Sequence, residues 1–100
     1  MPDPTKFLVV NSIESQVTVG PGSAIVLAEN VRRVDADISI DSANVVYLAR
    51  GNAAVMGMGP RLNPNGGSYH IGTDNLFTGD IYGIADDESN LAVSEGSAKP

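Results

Sequence analysis

Asp35, Asp37 and Asp41 stand with Ser39 in the stretch "RRVDADISID" (32–41), at a spacing that invites a metal reading. The pattern D-x-D-x-S-x-D begins like a calcium loop, whose first oxygen ligands sit at positions 1, 3 and 5. Such a loop also needs glycine at its sixth position and a bidentate Glu at its twelfth. Those positions are Ile40 and Val46. Val34, Ala36, Ile38 and Ile40 fill the gaps of the comb, giving the two-residue alternation of a half-buried strand. Side chains two apart on one strand stand about 7 Å from each other, so a straight strand cannot wrap these oxygens round one ion. The comb is read as a face turned to water or to a partner. Asp35, Asp37 and Asp41 are the candidate docking residues, and no metal is assigned. Like charges at that spacing repel, and a basic partner would relieve the repulsion. Within the chain, Arg32, Arg33 and Arg50 are the cross-strand counterions on offer.

The rest of the chemistry is sparse. His70 is the one histidine and there is no cysteine, so disulfides, thiolate zinc sites and thiol nucleophiles are excluded. No nucleophile elbow or second histidine gives His70 a place in a triad, and it is read as an ordinary strand residue. Asp74, Asp80, Asp86, Asp87 and Glu88 lie among Gly, Asn and Ser, where Asp closes turns locally. A glycosidase would need two of them to converge, with more aromatic surface than a 5% share supplies. The stretch "GMGPRLNPNGG" (57–67) has the glycines of a phosphate cradle but no Lys-Ser/Thr pair and no helix after it. Its glycines are expected to serve turns and close backbone approach. No catalytic residue and no cofactor is assigned, and the expectation is that the chain is not an enzyme.

Elements must position whatever these residues do, and composition bounds them. One hundred residues make a single domain, and a 42% apolar share supports one modest core. That core is built from Val, Ile, Leu and Ala, since the aromatics are only Phe7, Tyr47, Tyr69, Phe77 and Tyr82. Twelve acidic against six basic residues give a net charge of −6, unfavourable for nucleic acid and for anionic membranes. The start "MPDPTKFLVVNS" carries Asp3 and lacks a long apolar centre, so it is not expected to be a secretory signal. No apolar run approaches the ~20 residues that span a bilayer. The chain is expected to be made and folded in a cytoplasm.

Nearly every segment reads as β. Strands are predicted at 6–10, 15–20 (Val17 and Val19 on one face), 23–28 and 34–41. More follow at 45–50, 68–72, 80–86 (Ile81, Gly83 and Ala85 opposite Tyr82 and Ile84) and 91–96. A turn, or at most one helical turn, falls near 28–33. Residues 33–50 read as a hairpin closed by "DSAN". Residues 51–67 hold five glycines and two prolines, which excludes a regular helix and leaves short strands, bulges or a long ordered loop. Seven to nine short strands with turns every 8–12 residues or so predict an all-β fold, a single antiparallel sandwich, with a jelly roll among its forms. Residues 1–100 form that one domain. Residues 1–12 are either an extended arm that adds a strand to a neighbour or the first strand of the domain's own sheet, and 97–100 are expected to fray.

Residues 20–95 also carry a family resemblance. A serine-led apolar strand ("GSAIVLA") precedes a strand opened by arginines ("RRVDADISI"), then a "VYL" strand ("NVVYLARG"). A glycine-centred loop ("GMGPRLNPNGGSY") and a closing "GDIYGIA…NLAVSE" complete the series. This order resembles the small β-sandwich of head decoration, or cement, proteins of tailed phages and related fibre-base domains. The resemblance implies a non-enzymatic virion protein, an oligomer with a trimer favoured, that binds the major capsid protein on the outer head surface and stabilises the shell. It carries no catalytic residues. The same strand grammar occurs in tail and connector components. Another reading is a receptor- or carbohydrate-binding fibre module, which needs Tyr47, Tyr69 and Tyr82 on one face. A small hydrolase would need a concave pocket lined by His70 and a carboxylate.

Overall fold

A computed structural model describes residues 9–98. Its strands are β1 (Asn11–Val19), β2 (Ala24–Leu27), β3 (Arg33–Ile40), β4 (Val46–Arg50), β5 (Arg61–Leu62), β6 (Ser68–Ile71), β7 (Ile81–Ala85) and β8 (Ser89–Ser97). They pair as a nested set: β1 with β8, β2 with β7, β3 with β6 and β4 with β5, all antiparallel. The chain is thus one long hairpin with its tip between β4 and β5, rolled over so that β3 meets β8 and β4 meets β7. Rolling closes two four-stranded sheets, β1-β8-β3-β6 (sheet A) and β2-β7-β4-β5 (sheet B). This is an eight-stranded jelly roll, within the seven to nine strands and the sandwich class expected.

Aliphatic parity puts the core between the sheets. Ala36, Ile38 and Ile40 of β3, Leu91 and Val93 of β8, and Ile71 of β6 face Val46 and Leu48 of β4, Leu62 of β5, and Ile81 and Ala85 of β7. Each is at most 4% exposed. Burying a side chain of this kind contributes roughly 1.5–3 kcal/mol. The sheets come together because each presents one unbroken aliphatic face.

Several expectations are corrected. Residues 33–50 are not a hairpin: β3 lies in sheet A and β4 in sheet B, so 41–45 carry the chain across the sandwich. Alternation tells which face a strand buries but not which strand it pairs with. The strand expected at 15–20 begins four residues earlier, at Asn11, and pairs to Ser97. Residues 11–16 are exposed on both faces, so no alternation marks them. Of the strand expected at 6–10, residues 6–8 lie outside the described residues, while the Val10 N–H donates to the Ser97 carbonyl at 2.9 Å. Residues 97 and 98 do not fray: Ser97 closes β8, and the buried Ala98 donates its N–H to the Arg32 carbonyl at 2.7 Å. The glycine-rich segment resolves into a loop over 51–60, the two-residue β5 and a turn at 63–67.

Arg33 departs furthest from its sequence reading. Parity places it beside Asp35 and Asp37 on the outer face, yet it is 0% exposed. A β-bulge is the reason. Arg33 pairs with Ser97 and Asp35 with Gly96, so Val34 has no partner of its own and the strand turns by one position. Arg33 and Val34 are therefore both buried. The guanidinium plugs the end of the sandwich, donating to Glu95 Oε2 and to the carbonyls of Ala28, Phe77 and Gly79.

Candidate functional site

The comb lies on the outer face of sheet A, as its alternation predicts. Registry lines up Glu14, Ser94, Asp37 and His70 across β1, β8, β3 and β6. Two of the three expected arginine counterions go elsewhere: Arg33 to Glu95, and Arg50 over the Phe77 ring at 5.9 Å. Asp37 instead meets His70, with Oδ1 2.7 Å from Nδ1 and both side chains more than half exposed. That hydrogen bond, then the Asp37 charge, with smaller help from Asp35 and Asp74, raises the His70 pKa above its ordinary 6.5 against weak desolvation. Sequence reasoning missed the pair. A lone histidine and a carboxylate 33 residues apart become neighbours only through the β3–β6 pairing.

Asp35 is half-buried and leans over Gly96, directly across on β8, where the absent Cβ leaves room for its carboxylate. Asp41 lies past the end of β3, four residues or about 13 Å along from Asp37, and its N–H donates to the Asn90 carbonyl at 2.9 Å. Asp35 and Asp37 therefore share one surface and Asp41 sits apart at the turn. Between Glu14 on one side and Asp37 and Ser39 on the other, Ala92 and Ser94 floor a shallow trough of about 220 Å³. Among the described residues, no group of three or more His, Asp or Glu side chains is placed to hold a metal ion. Asp87 accepts from the N–H of its neighbour Glu88, the local turn contact expected, whereas Asp80 accepts from the Glu29 N–H, 51 residues away, and so links two loops.

Sheet B has a different outer face. The 51–60 loop returns across it, and Ala54 N–H reaches Ser23 Oγ at 2.8 Å. Beside the loop, Leu48, Ala49, Arg50, Val55, Met58 and Pro60 line an open cleft of about 320 Å³. Tyr47 and Tyr82 look out from this face in neighbouring strands, since Tyr47 pairs with Ile84 and Ala49 with Tyr82. Tyr69 belongs to the other sheet and packs on the core. The three tyrosines do not share a face, so the aromatic platform required of a sugar- or receptor-binding fibre head is not formed. His70 lines neither of these two hollows, and its side chain is more than half exposed on the surface of sheet A.

The edge of sheet A is the remaining surface. β1 is an edge strand of nine residues, and among the described residues its one partner strand is β8. Its inward parity carries Ile13, Ser15, Val17 and Val19. Val19 is buried, Val17 half-buried, and Ile13 is 57% exposed, because the four-residue β2 of the opposite sheet is too short to cover it. Val9 and Val10, just before β1, are exposed as well.

No known protein family matches this sequence, and no characterised protein does. In fold, the chain is similar to a solved chain from the disulfide-linked pili that form Bacillus endospore appendages. The likeness covers 90% of this chain and 87% of that one at a TM-score of 0.50, with 11% identity. What the two share is the fold, a small β-sandwich.

Proposed function

We propose that the chain is a non-enzymatic structural protein that acts by assembling into a larger protein particle. The observation that carries this reading is β1, a nine-residue edge strand without Pro or Lys that leaves Ile13 out in solvent. Monomeric sandwiches blunt such edges, because unpaired N–H and C=O groups recruit another chain. The particle that the sequence resemblance implies is a tailed-phage head. There an oligomer seated on the major capsid protein would brace the joints between capsid subunits, with the Asp35–Asp37 face turned toward a basic partner. A second reading, favoured by the fold likeness, is a subunit of an extracellular filament. With no cysteine in the chain, assembly of either kind does without disulfides from this chain.

Light scattering on the purified protein across a concentration series, with and without chelator, tests the assembling role. An oligomer indifferent to chelator is expected. A monomer at every concentration overturns the reading. Co-sedimentation with undecorated phage heads then separates the two stations: retention supports the capsid, and its absence with growth into filaments supports the second.

A further inference from the structure

We infer that β1 of one copy pairs antiparallel with β1 of a second copy, about a two-fold axis through Ser15, so that two A sheets become one eight-stranded sheet. This rests on the assembling role proposed above and names its contact. The choice of edge follows from length. The other edge strands, β6, β2 and β5, have four, four and two residues, and pairing with any of them would leave most of β1 unmatched. Only another β1 offers nine residues to nine.

The register follows from side chains. In an antiparallel pair, residues directly opposite share a face and their Cβ atoms come within about 5 Å. Centred on Ser15, Ile13 stands opposite Val17 of the second copy, and the partner's Ile13 covers Val17 in turn. The exposed isoleucine and the half-buried valine thereby complete one aliphatic row that β2 leaves open. On the outer face, Ser12 meets Thr18 and Glu14 meets Gln16. Centring one residue earlier would set Glu14 against Glu14, like charges directly opposed, and Ile13 against Ser15. The Ser15 register avoids the repulsion and matches the apolar residues at once. Because the contact is isologous it closes at two copies; larger particles would be built from this dimer through other faces.

The chain has no cysteine, so single-cysteine variants of the full chain read the register directly. Ser15 is exposed, and Ser15→Cys is expected to fold. On the axis its Cα lies about 4.5–5.5 Å from its counterpart, inside the range a disulfide spans. Glu14→Cys and Gln16→Cys would sit about 8 Å from their own counterparts, too far to bridge without backbone movement. Mild oxidation should therefore cross-link Ser15→Cys at least about tenfold faster than either neighbour. In the cysteine-free chain, Gln16→Lys should tighten the dimer about two- to tenfold by facing Glu14, and Gln16→Glu should loosen it similarly. Equal cross-linking at all three positions, or none at Ser15 in a protein that still oligomerises, overturns the β1 pairing and leaves the assembling role standing. A wild-type chain that stays monomeric throughout overturns both.

Discussion

Arg33 Nε donates to Glu95 Oε2 at 2.6 Å, with the arginine side chain wholly out of solvent and the carboxylate 17% exposed. The two sit on adjacent strands of sheet A, and the remaining guanidinium bonds go to backbone carbonyls of the 28–32 and 72–80 loops. One side chain thus ties a sheet to the loops that close its open end. The Phe77 carbonyl accepts from Arg33, while the Phe77 ring packs on the core and meets Arg50. A buried charge is tolerated here because it is both paired and saturated with acceptors.

Arg33→Met should therefore destabilise the fold by about 3 kcal/mol, toward the low end for a broken buried pair because Glu95 retains some access to water. Arg33→Lys should be nearly as damaging, since one ammonium cannot reproduce the planar fork that reaches Glu95 and three carbonyls. Urea unfolding should show a lower midpoint with an unchanged slope. A lysine variant as stable as wild type would show that the pair's charge, not its geometry, holds this end.

The His70–Asp37 bond makes a pH prediction. Its folded-state pKa lies above the ordinary 6.5, so protonated His70 stabilises the folded state fully below pH 6.5. That contribution is lost as pH rises through the raised folded value. The effect on stability is small because both groups are exposed. Following the His70 ring protons by NMR should give a midpoint above 6.5, moving back toward it in Asp37→Asn. A midpoint unchanged in Asp37→Asn would remove Asp37 as the cause.

What the sequence makes legible here is parity, and what it hides is partnership. Val34, Ala36, Ile38 and Ile40 are buried as their alternation requires, and the same rule places Ile81, Gly83 and Ala85 inward. Nothing in β3 or β4 alone says that β3 pairs with β6 and β8 and β4 with β5 and β7, because that follows from folding and rolling the whole chain. The 33–50 hairpin reading fails for this reason, and the His70–Asp37 pair stays hidden for the same one. Arg33 is hidden by a local event, the bulge, which reverses its face in one step. The six exposed residues that open β1 show no alternation because neither of their faces meets the opposite sheet.

Two glycines of the sheets should respond unequally to alanine. A Cβ on Gly83 would stand 2.8 Å from Val26 Cγ2 and 3.2 Å from Val19 Cγ1, inside a packed core. Gly83→Ala should cost roughly 1–3 kcal/mol by overpacking. On Gly96 the Cβ would meet the carboxylate of Asp35 and a methyl of Val9, both ends of side chains with solvent access. Gly96 is itself buried, so Gly96→Ala must push these side chains aside and should cost about 0.5–1.5 kcal/mol, the size of an off-rotamer shift. Thermal unfolding of the two variants side by side decides it, and equal losses would mean that Asp35 is held far more firmly than its exposure suggests.

The tip of the rolled hairpin should prove locally fragile. Ile84 points outward from sheet B yet is only 8% exposed, and Ala54 is 4% exposed, where the 51–60 loop lies across the sheet. The middle of the loop is tethered by the hydrogen bond from Ala54 N–H to Ser23 Oγ at 2.8 Å, and its first residue by the Gly51 N–H, which donates to the Asp80 carbonyl at 2.7 Å. Gly59 fixes the return of the loop: its φ of +84° suits glycine, and a Cβ there would run into the Leu48 carbonyl, while the Leu48 N–H donates to the Pro60 carbonyl at 2.9 Å. Ser23→Ala should cost about 1 kcal/mol and speed hydrogen exchange at Ala54 while leaving β3 and β8 amides protected. Gly59→Ala should cost more, about 1–3 kcal/mol for the left-handed backbone alone, and should open 53–58 to limited proteolysis. Exchange that rises equally across both sheets in Ser23→Ala would mean that the loop unfolds only with the whole sandwich, making it a part of the core and not a flap laid upon it.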